Sequence, residues 1–293
     1  MKRKTLSALL VLVAGCMWGC MGLLVRPLNA IGLETMDVCF LRGLVTFLVM
    51  FAALFIFDRN ALKIHVKDIW CFIGTGALSV SFFNFCYFKT IMLTSLSVAA
   101  VLLYTAPAFV MIMSFFLFEE KMSGKKIIAL GIAFAGCVLV SGIVTGSGDL
   151  NAKGILVGLG SGFGYALYSI FGRYALQRGY SSITITFYTF LFSALTTVFG
   201  VDLSSIINII GTHSTISLYG TFMILLVTLF PYLCYTKGLS GLENGTASVI
   251  ASIEPVMATM LGILIYKEKL TFINAAGMML VLASIILMNR DGQ

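Results

Sequence analysis

The sequence predicts an all-α polytopic membrane protein, ten transmembrane helices arranged as a 5+5 inverted repeat. Three observations predict it: a shortage of charge along the whole chain, ten apolar runs of membrane-spanning length, and a self-similarity at half the chain length. Of the 293 residues only 11% are charged and 59% are hydrophobic, with a mean hydropathy of +1.03. A soluble domain carries roughly 25% charged residues, so this chain has too little polar surface to face water. The 29 Gly and 24 Phe suit closely approaching membrane helices and lipid contact.

About 20 apolar residues cross the hydrocarbon core. The runs are residues 5–25, 38–57, 69–88, 97–118 and 127–147, then 154–172, 181–201, 216–236, 246–266 and 272–289. The first follows Lys2-Arg3-Lys4 like a signal peptide, but it is long, lacks an A-x-A site and is followed by nine more runs, so it reads as a span. The seventh, rich in Thr and Ser, is the least apolar in appearance. Gly content and the lack of period-two alternation favour helices over barrel strands.

The seven Cys, at 16, 20, 39, 71, 86, 137 and 234, lie nearly all in apolar runs with no paired C-x-x-C spacing, which predicts packing residues and neither metal nor disulfides. No cofactor is expected. The net charge of +7 comes from residues placed between spans, with no basic stripe, so nucleic acid is excluded. With the N-terminus inside, Arg26, Arg42, Lys89, Lys153, Lys267 and Lys269 fall on the outer side and the remaining 13 of the 19 Lys and Arg fall inside. Positive residues favour the cytoplasmic side, so both termini are expected there.

The chain also aligns with itself. At an offset of 148, Phe85–Lys89 (FCYFK) lies over Leu233–Lys237 (LCYTK), Pro107 over Pro255, and Glu120-Lys121 over Glu268-Lys269. At 147, Trp18 meets Tyr165, Arg26 meets Arg173 and Phe40 meets Phe187. Two units result, residues 1–148 and 149–293, forming one integrated domain. Five spans per unit is odd, so the second unit enters the membrane from the opposite side. Inverted repeats of this kind build secondary transporters that bind substrate near the midplane between the halves.

These residues resemble the EamA-type branch of the drug/metabolite transporter (DMT) superfamily across essentially the whole chain. The resemblance rests on Trp18-Gly19, Arg42, Tyr104-x-x-Pro107 followed by Glu119-Glu120, Gly131 and Gly136, and Glu254-Pro255 leading to Glu268. It implies secondary transport, often export, of amino acids or other small metabolites without ATP hydrolysis. A compact chain of this kind suits a bacterial inner membrane.

Within the spans as drawn the charged residues are Arg42 and Glu254, and an intramembrane ionisable group is a functional candidate by default. Glu254 lies about 12 Å into its span at 1.5 Å per residue, with Pro255 weakening the helix beside it. It is a candidate for binding a substrate amine or for proton coupling, against a purely structural carboxylate. Arg42, about 6 Å below the outer boundary, is expected to snorkel or to pair with Asp37 or Glu34, with a substrate carboxylate as the alternative. Trp18, Asn84, Tyr104, Tyr165, Tyr168 and Ser252 complete the candidate cavity, with Tyr87 and Tyr235 in the same polar-aromatic set. Lys89 and Lys237 are repeat equivalents expected at helix ends, and Gly15, Gly19, Gly154, Gly158 and Gly162 are expected to mark close helix packing.

The partners expected are a small-molecule substrate and membrane lipid, with proton coupling and a homodimer left open. A second transport reading is an antiporter of phosphorylated sugars or nucleotide-sugars, which lacks a midplane cation here. From other classes, a channel is disfavoured by the duplication. A membrane-embedded enzyme is disfavoured because His65 and His213 fall in loops and no HExxH, GxSxG or P-loop motif occurs.

Overall fold

The computed structural model describes residues 2–143 and 151–289. The end of the fifth run, the boundary between residues 148 and 149, and Arg290 lie outside the described residues. Every regular element described is helical. Backbone groups in hydrocarbon must be satisfied within the segment, which is what a helix does.

The helices are α1 (Lys2–Gly19), α2 (Met21–Ala30), α3 (Thr35–Phe57), α4 (Ile69–Ile73), α5 (Phe82–Leu93), α6 (Leu96–Leu103), α7 (Ala106–Phe118) and α8 (Gly124–Val140). They continue as α9 (Ala152–Gln177), α10 (Ser182–Thr197), α11 (Leu203–Thr212), α12 (Ser214–Ile224), α13 (Phe230–Leu239), α14 (Asn244–Ala251), α15 (Glu254–Tyr266) and α16 (Phe272–Asn289). Several of these join end to end. Eight resulting helices are long and apolar enough to cross a membrane: Lys4–Ala30, Thr35–Phe57, Val66–Leu93, Leu96–Phe118, Ala152–Gln177, Ser182–Gly200, Ser214–Leu239 and Asn244–Tyr266. The chain is a polytopic integral membrane protein.

The fifth and tenth runs form shorter helices. α8 has 17 residues, about 26 Å at 1.5 Å per residue. It pairs with α16 through Gly136 and Gly277, where a Cβ on either would stand 2.8 Å from the other's carbonyl oxygen. The Thr-rich seventh run is helical, several of its hydroxyls bonded to the preceding turn, as in Thr189 Oγ1 to the Ile185 carbonyl at 2.7 Å and Thr197 Oγ1 to the Ser193 carbonyl at 2.7 Å, while Thr186 Oγ1 is buried without a hydrogen-bond partner. α11, capped by Asp202, is a helix that the hydropathy reading left between spans.

Three kinds of irregularity recur at an interval of 148. A π-helical stretch, Gly74–Ser81, precedes α5, and another, Leu225–Leu229, precedes α13. α6 and α14 are each 8 residues long, and α7 and α15 are each 13. Glu119 and Lys267 end α7 and α15 in the left-handed conformation, with φ of 56° and 58°.

Glycines decide how these pieces meet. α1 lies on the junction of α14 and α15: a Cβ on Gly15 would stand 2.9 Å from the Ala251 oxygen, and one on Gly19 2.6 Å from the Glu254 oxygen. α9 lies on the junction of α6 and α7 in the same way, a Cβ on Gly162 falling 2.8 Å from the Leu102 oxygen. α1 thus packs on the broken helix α14–α15, and α9 on the broken helix α6–α7.

Candidate functional site

The site begins at the two broken helices. Pro107 stands in the first turn of α7 and Pro255 in the first turn of α15. Proline has no N–H to give the carbonyl one turn back, Leu103 and Ala251 respectively, and its ring pushes that carbonyl aside. Each helix therefore stops, turns over Tyr104-Thr105 or Ser252-Ile253, and restarts. Helix starts carry a partial positive charge, and Glu254 occupies one of them.

Both breaks open on one cavity. It is lined by Leu103, Tyr104, Ala106 and Pro107 from the first break, by Ser248, Ala251, Ser252 and Glu254 from the second, and by Tyr165 of α9. The hydroxyls of Ser248 and Ser252 are turned back to Gly245 and Ser248 carbonyls, at 2.9 and 3.3 Å. Tyr165 and Glu254 thus face the same space.

A second cavity adjoins on the other side of Tyr165, lined by Trp18, Ser79, Phe83, Tyr165, Tyr168, Ser169, Tyr232 and Tyr235. The Trp18 ring lies 5.2, 5.3 and 6.2 Å from those of Tyr232, Tyr235 and Tyr165. The Tyr168 hydroxyl pairs with Thr236 Oγ1 at 2.6 Å and that of Tyr235 with Ser169 Oγ at 2.7 Å. Trp18 Nε1, by contrast, is buried without a hydrogen-bond partner. A buried donor left unpaired is costly unless a ligand completes it. Both cavities are narrow and admit little beyond a water molecule.

Of the residues singled out in the sequence, Trp18, Tyr104, Tyr165, Tyr168, Ser252 and Glu254 are brought together in these two cavities. Asn84 is not among their lining residues. It is buried between helices, donating to the Val80 carbonyl at 2.6 Å and accepting from Cys39 Sγ at 3.3 Å. Arg42 corrects an expectation. Glu34 and Asp37 are occupied in a mutual cap at the start of α3, and Arg42 turns inward, its Nε donating to Thr228 Oγ1 in the second π stretch at 2.9 Å. Lys89 and Lys237 are both exposed; Lys237 lies in the last turn of α13, whereas Lys89 stands one turn before the end of α5.

Ser79, Phe83, Ser169, Tyr232 and Ser248 also line the site without having been singled out. A signal existed for two. Tyr232 follows Pro231 at a helix restart, and Ser248 stands four residues before Ser252 on one helix face.

The EamA-like transporter family matches the chain twice, at residues 5–142 and again at 152–290. The chain belongs to that family. EamA-like proteins are transporters rather than enzymes, and this chain shares their membrane setting and small-molecule traffic. An uncharacterized transporter of Archaeoglobus fulgidus is 29% identical over 82% of this chain and 84% of its own length. The uncharacterized transporter YetK of Bacillus subtilis is 25% identical over 84% and 75%. A probable amino-acid metabolite efflux pump of Salmonella typhimurium is 25% identical over 97% and 94%. A solved crystal structure superposes on 97% of this chain and 98% of its own with a TM-score of 0.75 at 16% identity, which establishes a shared fold.

Proposed function

We propose that this EamA-like chain is a secondary transporter that exports small organic metabolites, such as amino acids or related amphipathic compounds, by alternating access. The observation that carries this is the cavity where both broken helices meet, with a carboxylate at one restart and aromatic walls beyond it. Broken helices at a repeat interface are the usual way a membrane transporter offers polar groups to a substrate at the midplane. Export of an amino-acid metabolite is also what the name of the Salmonella relative suggests.

The architecture behind the reading is ten spans in two inverted units of five, with α8 and α16 as the fifth and tenth. The double family match supports it, as do the helix breaks and π stretches that repeat 148 residues apart. Side-chain contacts group the loops as the charge bias does. Arg26, Lys267 and Lys269 fall at one end with the Arg26–Glu268 pair, and Arg178 pairs with Asp68 at the other, beside Lys67. Both termini are then cytoplasmic. The lining residues Trp18, Tyr104, Tyr165, Tyr168, Ser252 and Glu254 hold the substrate, while Arg42, bonded to Thr228, is a secondary contact. Glu254 binds a substrate amine or exchanges a proton for it.

The test is counterflow in proteoliposomes. A thermal-shift screen of amino acids, amines and sugar phosphates first identifies a ligand, because a bound ligand stabilises the folded state by mass action. Glu254→Gln is then expected to abolish saturable counterflow of that ligand or to remove its pH dependence. Unchanged rate and unchanged pH dependence would end the assignment of Glu254. Phosphate-dependent counterflow would replace the substrate class by the sugar-phosphate alternative.

A further inference from the structure

Arg26 and Arg173 stand 147 residues apart, at equivalent places in the two halves. Each reaches the end of a broken helix. Arg26 Nη2 lies 3.0 Å from Glu268 Oε1, just past α15, and its guanidinium sits 3.8 Å from the centre of the Tyr266 ring. The Tyr266 hydroxyl completes this contact by donating to the Gly22 carbonyl at 3.3 Å. Arg173 donates from Nε to Asn244 Oδ1 at 2.8 Å and from Nη2 to the Leu242 carbonyl, at the start of α14. Glu120, the repeat counterpart of Glu268, comes from the first half to the same point. It accepts from the Asn244 and Gly245 N–H groups at 2.7 and 3.2 Å.

The two clusters lie on opposite sides of the break that carries Glu254. α14 runs from Asn244 to Ala251, about 10 Å, and α15 from Glu254 to Tyr266, about 18 Å in the continuing direction. One cluster therefore ties the halves together on each side of the cavity.

We propose that the Arg26–Glu268 and Arg173–Asn244–Glu120 clusters are the two gates of the transport path, each opening while the other holds. This rests on the inverted-repeat reading given above. The gates are unequal. Half of the Arg26 and Glu268 side-chain surface is exposed, 54% and 52%, and an ion pair open to water contributes little. At the other end, Asn244 is fully buried and also donates to Ser114 Oγ at 3.0 Å. The Glu120 carboxylate caps two N–H groups there, and charge-assisted bonds of this kind are the strong ones. Lys126 pairs with Glu243 alongside. The protein thus opens first at the Arg26 end.

The test places a Ser252→Cys reporter in the cavity and follows its labelling by a membrane-impermeant maleimide, in right-side-out and inside-out vesicles. The chain without the reporter supplies the background from its native cysteines. Without further change, labelling is expected to be faster from the Arg26 side. Glu268→Gln is expected to raise the rate from that side several-fold and to lower it from the opposite side. Arg173→Lys and Glu120→Gln are expected to do the reverse, Arg173→Lys serving where loss of the Glu120 cap prevents folding. Exchanging the charges in Arg26→Glu/Glu268→Arg should restore the parent rates. Unaltered labelling, or the same shift from both classes of variant, overturns the gates. The inverted repeat is checked separately by single Arg26→Cys and Arg173→Cys variants. Labelling of both from one membrane face refutes the inversion, whereas opposite faces with unaltered reporter rates refute the gates alone.

Discussion

Gly19 is where the fold of α1 and the shape of the site depend on a single missing atom. A Cβ at this position would lie 2.5 Å from Met257 Cβ and 2.6 Å from the Glu254 carbonyl oxygen. Neither neighbour can rotate away, because one is a backbone atom and the other is fixed to it. In Gly19→Ala, α1 must retreat by roughly 1 Å, the distance back to ordinary van der Waals contact. Overpacking of this kind costs about 1–3 kcal/mol. Gly131, in α8, is the control, since a Cβ there meets nothing within 4 Å. Gly131→Ala should gain about 0.5–1 kcal/mol by restricting the unfolded chain. The two variants are thus expected to differ by about 1.5–4 kcal/mol and to move the apparent Tm in opposite directions, read by intrinsic fluorescence on heating in detergent. Gly19→Ala should also slow counterflow, because the displaced atoms belong to Glu254 and its helix turn. A Gly19→Ala protein that melts at or above the parent would refute the packing argument, since no flexible side chain is there to absorb the clash.

Two further outcomes follow from hydrogen bonds. Tyr168→Phe leaves Thr236 Oγ1, in a fully buried residue, without its phenolic partner, at a cost of about 1–3 kcal/mol. Adding Thr236→Val should recover much of that in thermal denaturation, and strictly additive losses would show that the pair is not coupled. Asp202, outside the spans, accepts from Ser204 Oγ at 2.6 Å and from the Ser204 and Ser205 N–H groups. These bonds hold its carboxyl below the usual carboxylate range. Because the folded value lies below the unfolded one, the cap is intact above the unfolded value and is lost only as pH falls through the folded one. The amide exchange rate at the start of α11, divided by the intrinsic rate at each pH, should stay constant from neutral pH to about 4 and rise below it, and Asp202→Asn should flatten that profile. A rise beginning near neutral pH would show that Asp202 is not the cap that matters.

Much of the fold was legible because the signals are local. Hydropathy over about 20 residues located the spans, and Phe272–Asn289 matches its apolar run at both ends. The seventh span was legible despite its Thr and Ser because hydroxyls such as those of Thr189 and Thr197 bond to the preceding turn of their own helix. α11 was missed because it is short, and its amphipathic pattern carries no membrane-length run. Pro255 announced a weakened helix, since the absence of an N–H is a property of the residue and not of its surroundings, and the structure shows the same break at Pro107, which the sequence reading used only as a repeat counterpart and motif residue.

The amino-acid sequence by itself determined that the chain lives in lipid, that it resembles the EamA family, and that Glu254, Trp18 and the tyrosines are the groups worth watching. Tertiary structure alone decided which of them meet. Tyr104 and Ser252 share a cavity because α1 and α9 cross onto each other's broken helices, through glycines that carry no hydropathy signal of their own. Asn84 bonds instead to its own helix and to Cys39, 45 residues away. Arg42 passes over the nearby Glu34 and Asp37 for Thr228, 186 residues away. The physical reason is the same in each case. A polar side chain in a low-dielectric interior goes to whatever partner the packing brings within about 3 Å, and sequence distance does not measure that.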